Sequence, residues 1–157
     1  MNEKNTTQGL VGTSFKAIFR DRGLWYNKWR DDGGWQPFDA SMVVDGVPFA
    51  MEYKASKLKK GITFKSLFSE GRTKQLDELE KFERAKGYGL VIIQYCVPRK
   101  SRFFIMRHYE AREYYNIGQQ IPWSELEKHE VFTKRDPLKG TIIDFAPYME
   151  QFGILKD

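Results

Sequence analysis

Residues 38–54, F-D-A-S-M-V-V-D-G-V-P-F-A-M-E-Y-K, leave few choices for how this chain folds. Asp45-Gly46 is a dipeptide suited to a two-residue type I′ turn, so the runs on either side are predicted strands in fixed register. Val44 then faces Val47, and counting outward sets Asp39 opposite Glu52. Alternation sorts the side chains onto two faces. One carries Phe38, Ala40, Met42, Val44, Val47, Phe49, Met51 and Tyr53, a predicted core face. The other carries Asp39, Ser41, Val43, Pro48, Ala50, Glu52 and Lys54, and ends in two carboxylates and an amine.

Two carboxylates directly opposite one another repel. A divalent cation removes that conflict, and Mg²⁺ is commonly held by one or two carboxylates, waters and substrate phosphates. Lys54 shares the face and could hold a phosphate or polarise a water. The ordinary alternative is a solvated face with a Glu52–Lys54 salt bridge, since short motifs of this kind recur by chance.

At 157 residues the chain predicts one domain with a substantial core. Aromatic residues make up 15% and hydrophobic residues 41%, which excludes a disordered chain. The net charge of +5 and the pI near 9.2 read equally as ordinary solubility charge or as a surface for an anionic partner. Nucleic acid ranks ahead of a membrane surface, because no basic amphipathic anchor is visible. The single cysteine, Cys96, excludes an internal disulfide framework and reads as a small core residue. The polar start has no apolar signal segment, and no run of about 20 apolar residues exists. The expectation is a soluble cytoplasmic protein.

Along the chain, residues 1–8 read as frayed and Leu10 to Arg22 as a helix stopped by Gly23. Leu24 to Arg30 predicts a strand, followed by an Asp31-Asp32-Gly33-Gly34 turn. Trp25, Tyr26, Trp29 and Trp35 read as packing and cover for a sheet edge, with a stacking platform for unpaired bases as the alternative. Beyond the hairpin, Lys57, Lys59, Lys60 and Lys65 read equally as a solvated loop or as contacts to a nucleic-acid backbone. Ser69 to Lys86 is the strongest helix, with Leu76, Leu79, Phe82 and Ala85 in one stripe and Arg72, Lys74 and Gln75 in its first turns. Leu90 to Val97 predicts a strand buried on both faces, and Arg102 to Arg107 its return. Short helices are predicted at Tyr109–Tyr115, Pro122–Glu130 and Pro147–Phe152, with a strand at Gly140–Asp144. His108 and His129 lack metal-ligand spacing and read as surface residues. Helices separated by strands imply an α/β fold with a mixed central sheet flanked by helices.

An Asp opening one strand, E-x-K on the next, a helix with a polar first turn and then a buried strand resemble the PD-(D/E)xK nuclease superfamily. Within it the chain most resembles the RecU-type Holliday junction resolvases. The segments that carry the likeness are G-T-S-F-K at 12–16, F-D-A at 38–40, M-E-Y-K at 51–54, T-K-Q-L at 73–76 and G-L-V-I-I at 89–93. They span about residues 9–107, leaving 108–157 as a C-terminal extension of the same domain. Three departures stand out. Phe38 intervenes between Pro37 and Asp39, Lys16 occupies the place of a helix Glu, and the short D-D-G-G turn replaces a long protruding segment.

The resemblance implies a restriction-endonuclease-like fold and a Mg²⁺-dependent endodeoxyribonuclease, with Mn²⁺ as a substitute metal. Asp39, Glu52 and the backbone carbonyl of Tyr53 would ligate the metal. Lys54 would serve the attacking water, and Gln75 would fix the phosphate. Lys16, Lys57, Lys59, Lys60, Lys65, Arg72 and Lys74 would contact DNA, expected to be branched, as in a Holliday junction. Family members act as homodimers in recombination and repair. The rival expectation is a nucleic-acid-binding module of the same fold that has lost cleavage, for which Lys16 is the main support.

Overall fold

The computed structural model describes residues 3–29, 36–57, 60–68, 73–96 and 100–154. The elements run in the order α1 (Glu3–Ile18), β1 (Leu24–Lys28), β2 (Ala40–Val44), β3 (Val47–Ser56), β4 (Gly61–Ile62), α2 (Phe64–Leu67), α3 (Thr73–Arg84) and β5 (Tyr88–Tyr95). They continue with β6 (Arg102–Arg107), α4 (His108–Ile117), β7 (Ile121–Pro122), α5 (Trp123–Leu126), β8 (Glu130–Val131), β9 (Thr133–Asp136), β10 (Gly140–Ile143) and α6 (Ala146–Met149). The central sheet has the order β1-β2-β3-β5-β6-β8. Its β3–β5 pair is parallel and the other pairs are antiparallel, so the sheet is mixed and helices flank it, as the sequence predicts.

The hairpin takes the expected register, with Val44 facing Val47 and Ala40 facing Met51. Asp45 and Gly46 both have positive φ, 48° and 84°, as a type I′ turn requires. Asp45 also ties the hairpin to the residue that leads into β1. Its amide donates to the Gly23 carbonyl at 2.8 Å, and its carboxylate accepts the Gly23 amide at 2.9 Å. Pro48 turns its missing N–H away from β2, and β5 begins only at Tyr88, opposite Phe49, so no ladder bond is lost.

Both faces of the sheet are covered. The predicted core face meets Val11, Phe15 and Phe19 of the α1 segment, together with Ile143, Phe145, Met149 and Ile154 from the C-terminal residues. The opposite face is a second core, not the solvated surface considered above. Ala50, Val91 and Ile93 pack there against Phe64, Phe68, Leu76 and Leu79. Gly89 lets α3 approach this closely. A Cβ on it would stand 2.9 Å from the Leu79 Cβ and 3.1 Å from the Leu79 carbonyl, too near for either to accommodate.

Several boundaries depart from expectation. α1 begins at Glu3, so residues 3–8 are helical rather than frayed, and Gln8 is buried. The polar start of α1 carries no apolar period from which this could be read. The lysine-rich stretch after β3 is not simply a loop. Ile62, Phe64 and Phe68 are fully buried within it, and Gly61–Ile62 pairs with Ile121–Pro122. β8 and β9 were not foreseen, because two- and four-residue strands leave no periodic pattern. His108 and His129 are not surface residues. His108 is buried with Nδ1 3.4 Å from Glu83, and the His129 ring lies 2.8 Å from the Tyr114 hydroxyl. His108 opens α4 and faces Glu83 of α3, His129 packs beneath Tyr114 of α4, and their charged sequence neighbours concealed this. The Asp31-Asp32-Gly33-Gly34 turn lies outside the described residues. Among the described residues, no helix is long and apolar enough to cross a membrane.

The β9–β10 hairpin docks on α1 through polar bonds. Ser14 Oγ accepts the Ile143 amide at 2.8 Å while donating to the Leu10 carbonyl at 2.6 Å. Asp136 receives Arg20 at 2.5 Å and the amides of Leu138 and Lys139 at 3.0 and 2.9 Å. The Arg20 hydrogen bond, more than the two amides, holds the Asp136 carboxyl down at about 2. A depressed carboxyl stabilises the fold above its unfolded pKa, about 3.9, and that contribution is lost as pH falls toward the folded value. Arg20→Ala should therefore begin acid unfolding at a higher pH than the wild type, followed by circular dichroism between about pH 5 and pH 2. Coincident acid transitions would remove Asp136 from the linkage.

Candidate functional site

β2 and β3 deliver the acidic residues, and α3 meets them from the second core. Asp39 lies just before β2 and is locked on both sides. The Trp29 amide donates to its carbonyl at 3.0 Å, and its own amide donates to the Met51 carbonyl at 3.0 Å. Met51 already faces Ala40, so two residues on this strand meet one on β3, a bulge at the mouth of the hairpin. Asp39 therefore does not stand squarely across from Glu52, as simple register would have it. Its Oδ2 instead accepts the Tyr53 amide at 2.8 Å, capping β3 where β2 has run out.

Glu52 and Lys54 point into the second core. Glu52 is 0% exposed and Lys54 5% exposed, and Lys54 Nζ stands 3.4 Å from Glu52 Oε1. The same Nζ donates to Gln75 Oε1 at 2.7 Å and lies 4.9 Å from the centre of the Phe68 ring. Gln75 reaches it from the first turn of α3, whose seat on β5 is set by Gly89 and the buried Leu76 and Leu79. The sequence therefore placed Asp39, Glu52, Lys54 and Gln75 correctly in one neighbourhood. It missed Phe68, which roofs the ammonium. A lone Phe among lysines and serines carries no periodic signal.

Local partners already answer the repulsion expected of the two carboxylates. Lys54 faces Glu52, and the Tyr53 amide holds Asp39. A cation is favoured instead by the chemistry of the donor set. The Cys96 amide bonds the Ser56 carbonyl, so the even-numbered residues of β3 turn their backbone groups toward β5. Tyr53 then turns its N–H and C=O toward the β2 side, where Asp39 sits. Two carboxylates and one carbonyl are hard oxygen donors, of the kind Mg²⁺ takes. Among the described residues, no three His, Cys, Asp or Glu side chains converge to hold a metal, so such a site would rest on these oxygens and water.

On the opposite face, beneath the same hairpin, the Tyr26 and Tyr53 hydroxyls meet at 2.5 Å. Burial first, then the neighbouring Tyr26 hydroxyl and lastly the Asp39 and Glu52 charges, pushes Tyr53 well above its ordinary pKa. Burial also raises Tyr26 to about 12. Both phenols stay neutral and brace the strand that carries the Tyr53 carbonyl.

The basic residues are dispersed. Lys57 and Lys60 are exposed just past the end of β3, and Lys74 is exposed beside Gln75. Lys65 is exposed on α2, with its ammonium 6.0 Å from the Tyr115 ring. Lys16 is exposed on α1, across the sheet from Glu52, with Nζ 5.4 Å from the Tyr26 ring. Lys59 and Arg72 lie outside the described residues. Cys96 is half-buried after β5 rather than in the core. Trp25 and Trp29 are 55% and 41% exposed, which overturns their reading as core packing. β1 is the sheet edge, and among the described residues no helix layer reaches over it on that side.

No protein-family model matches the chain, and no curated protein matches it. Among solved structures, it is similar to Hjc, a Holliday junction resolvase from the archaeal hyperthermophile Archaeoglobus fulgidus. That similarity has a TM-score of 0.38 and 16% sequence identity, over 89% of this chain and 85% of the other. Likeness at that level transfers no residue role.

Proposed function

We propose that this protein is a Mg²⁺-dependent DNA endonuclease acting on branched DNA. One observation carries the reading: Lys54 is fixed between Glu52 and Gln75 at the point where Asp39 grips the Tyr53 amide. An isolated E-x-K on a solvated face would show neither that burial nor a partner from a separate helix.

Asp39, Glu52 and the Tyr53 carbonyl would hold the metal. Bound there, Mg²⁺ would polarise the scissile phosphate and lower the pKa of a coordinated water. Lys54, already oriented, would steady the attacking water and offset charge developing on the phosphate. Gln75 accepts from Lys54 through Oε1, and its NH₂ has the polarity to donate to a phosphate oxygen. Lys57, Lys60 and Lys74 would track the DNA backbone, with Lys59 and Arg72 as further candidates. Affinity should accordingly fall with salt. A homodimer would supply two sites for two strands.

A second reading is a DNA-binding module without cleavage. The complete burial of Glu52 against Lys54 favours it, because that carboxylate is already neutralised. Cleavage of linear, flapped and four-way DNA, with Mg²⁺ or Mn²⁺ and then with EDTA, separates the two. The nuclease reading expects metal-dependent nicking, strongest on the branched substrates and lost in Asp39→Asn. Binding without any nicking would establish the module, and nicking unchanged in Asp39→Asn would move the site elsewhere.

A further inference from the structure

The indoles of Trp25, in β1, and of Trp29, just beyond it, stand exposed at the edge of the sheet. β1 pairs with β2 through Trp25–Val43 and Asn27–Ser41, and the Trp29 amide extends the same register to the Asp39 carbonyl. Alternation therefore puts Trp25, Asn27 and Trp29 on the face that carries Ser41 and Ala50 and leads to Glu52. Leu24 and Tyr26 turn the other way, into the first core. Trp29 thus lies opposite Asp39, at the mouth of the hairpin. Phe38 links it to the helix layer, 6.4 Å from the Trp29 ring and 5.6 Å from Phe82 of α3.

We propose that Trp25 and Trp29 form a stacking ledge for unpaired nucleobases beside the candidate cleavage site. The inference rests on the reading of the protein as one that acts on branched DNA, and it names the feature of that DNA this face would take. Four strand steps separate the two rings, about 13 Å, close to the length of four stacked nucleotides. Between them stands Asn27, an amide able to bond base edges. Lys28 is exposed on the same strand and is its only charged residue, in a chain of net charge +5. A protein partner would call for a contiguous apolar patch. Here Asn27 breaks the surface into two separate π faces, an arrangement that bases tolerate because each has a π face of its own.

The test is binding in EDTA, where no cutting is needed. The probes are a twelve-residue oligothymidylate, an abasic strand of equal length and a blunt duplex, all at one salt concentration. Wild type should bind oligothymidylate more tightly than the abasic strand, with quenching of tryptophan emission. Trp25→Ala and Trp29→Ala should each weaken oligothymidylate binding about tenfold and leave abasic and duplex binding within about twofold. Trp25→Phe and Trp29→Phe should keep most of the affinity, which a merely structural role would not predict.

Equal oligothymidylate affinity in wild type and the Ala variants would overturn the ledge, as would equal losses on all three probes. A change in sedimentation mass with unchanged oligothymidylate affinity would assign the indoles to contacts between copies and overturn it too. If wild type fails to cut DNA yet binds bases through these indoles, the nuclease reading falls and the ledge stands. If it cuts branched DNA and the indoles prove inert, the reverse holds.

Discussion

Glu52→Gln should abolish metal-dependent cutting while leaving DNA binding within about twofold of wild type. The substitution keeps the shape of a fully buried side chain and removes its charge. The expected loss in cleavage rate is on the order of a thousandfold, about 4 kcal/mol of transition-state stabilisation. Single-turnover cleavage of a four-way junction under Mg²⁺ measures it. The Gln variant still faces Lys54, so its thermal midpoint should be recorded beside the rate. A folded variant that cuts normally would exclude Glu52 from the reaction.

Lys54→Met should act on the fold as well as on the chemistry. It removes the ammonium that stands 3.4 Å from a carboxylate with no solvent exposure. Stranding one member of a buried ion pair costs about 3–5 kcal/mol, whereas replacing both is often close to neutral. The double variant Glu52→Gln/Lys54→Met should therefore be more stable than Lys54→Met alone in urea unfolding. Both should be inactive. This contrast separates the structural part of Lys54 from the catalytic part proposed for it, since stability can be restored without restoring cutting. A Lys54→Met protein as stable as wild type would mean that the pair is screened far better than its burial implies.

Much of this arrangement was legible in the chain because strand alternation and one turn dipeptide are strong local constraints. Asp45-Gly46 set the register that brings Ala40 to Met51, and the apolar alternation of residues 40–53 identified the first core, whereas Phe38, expected on that face, lies beyond the bulge and packs against the second core. The helix stripe at Leu76 and Leu79 placed Gln75 within reach of Lys54. What stayed hidden depends on long-range packing. The bulge at Asp39 arises because its amide and Ala40 both meet Met51, a choice no local pattern encodes. The second core over Ala50, Val91 and Ile93 turned a presumed solvated face into a buried one. Phe64 and Phe68, scattered through a lysine-rich stretch, became its roof. Trp25 and Trp29 deceived in the other direction, since large aromatics usually pack inside and these two stand in solvent at a sheet edge.

The dispersal of the basic residues also bears on the departures from the resolvase pattern. Lys16 sits across the sheet from Glu52, against Tyr26, so it does not neutralise the candidate site directly. A metal there would depend on Asp39, Glu52 and the Tyr53 carbonyl alone. Anomalous scattering from crystals grown with Mn²⁺ tests that dependence most directly. The account predicts a peak within coordination distance, about 2.0–2.4 Å, of an Asp39 oxygen, a Glu52 oxygen and the Tyr53 carbonyl, and no such peak in Asp39→Asn. Saturating Mn²⁺ with no peak at these three oxygens would contradict it.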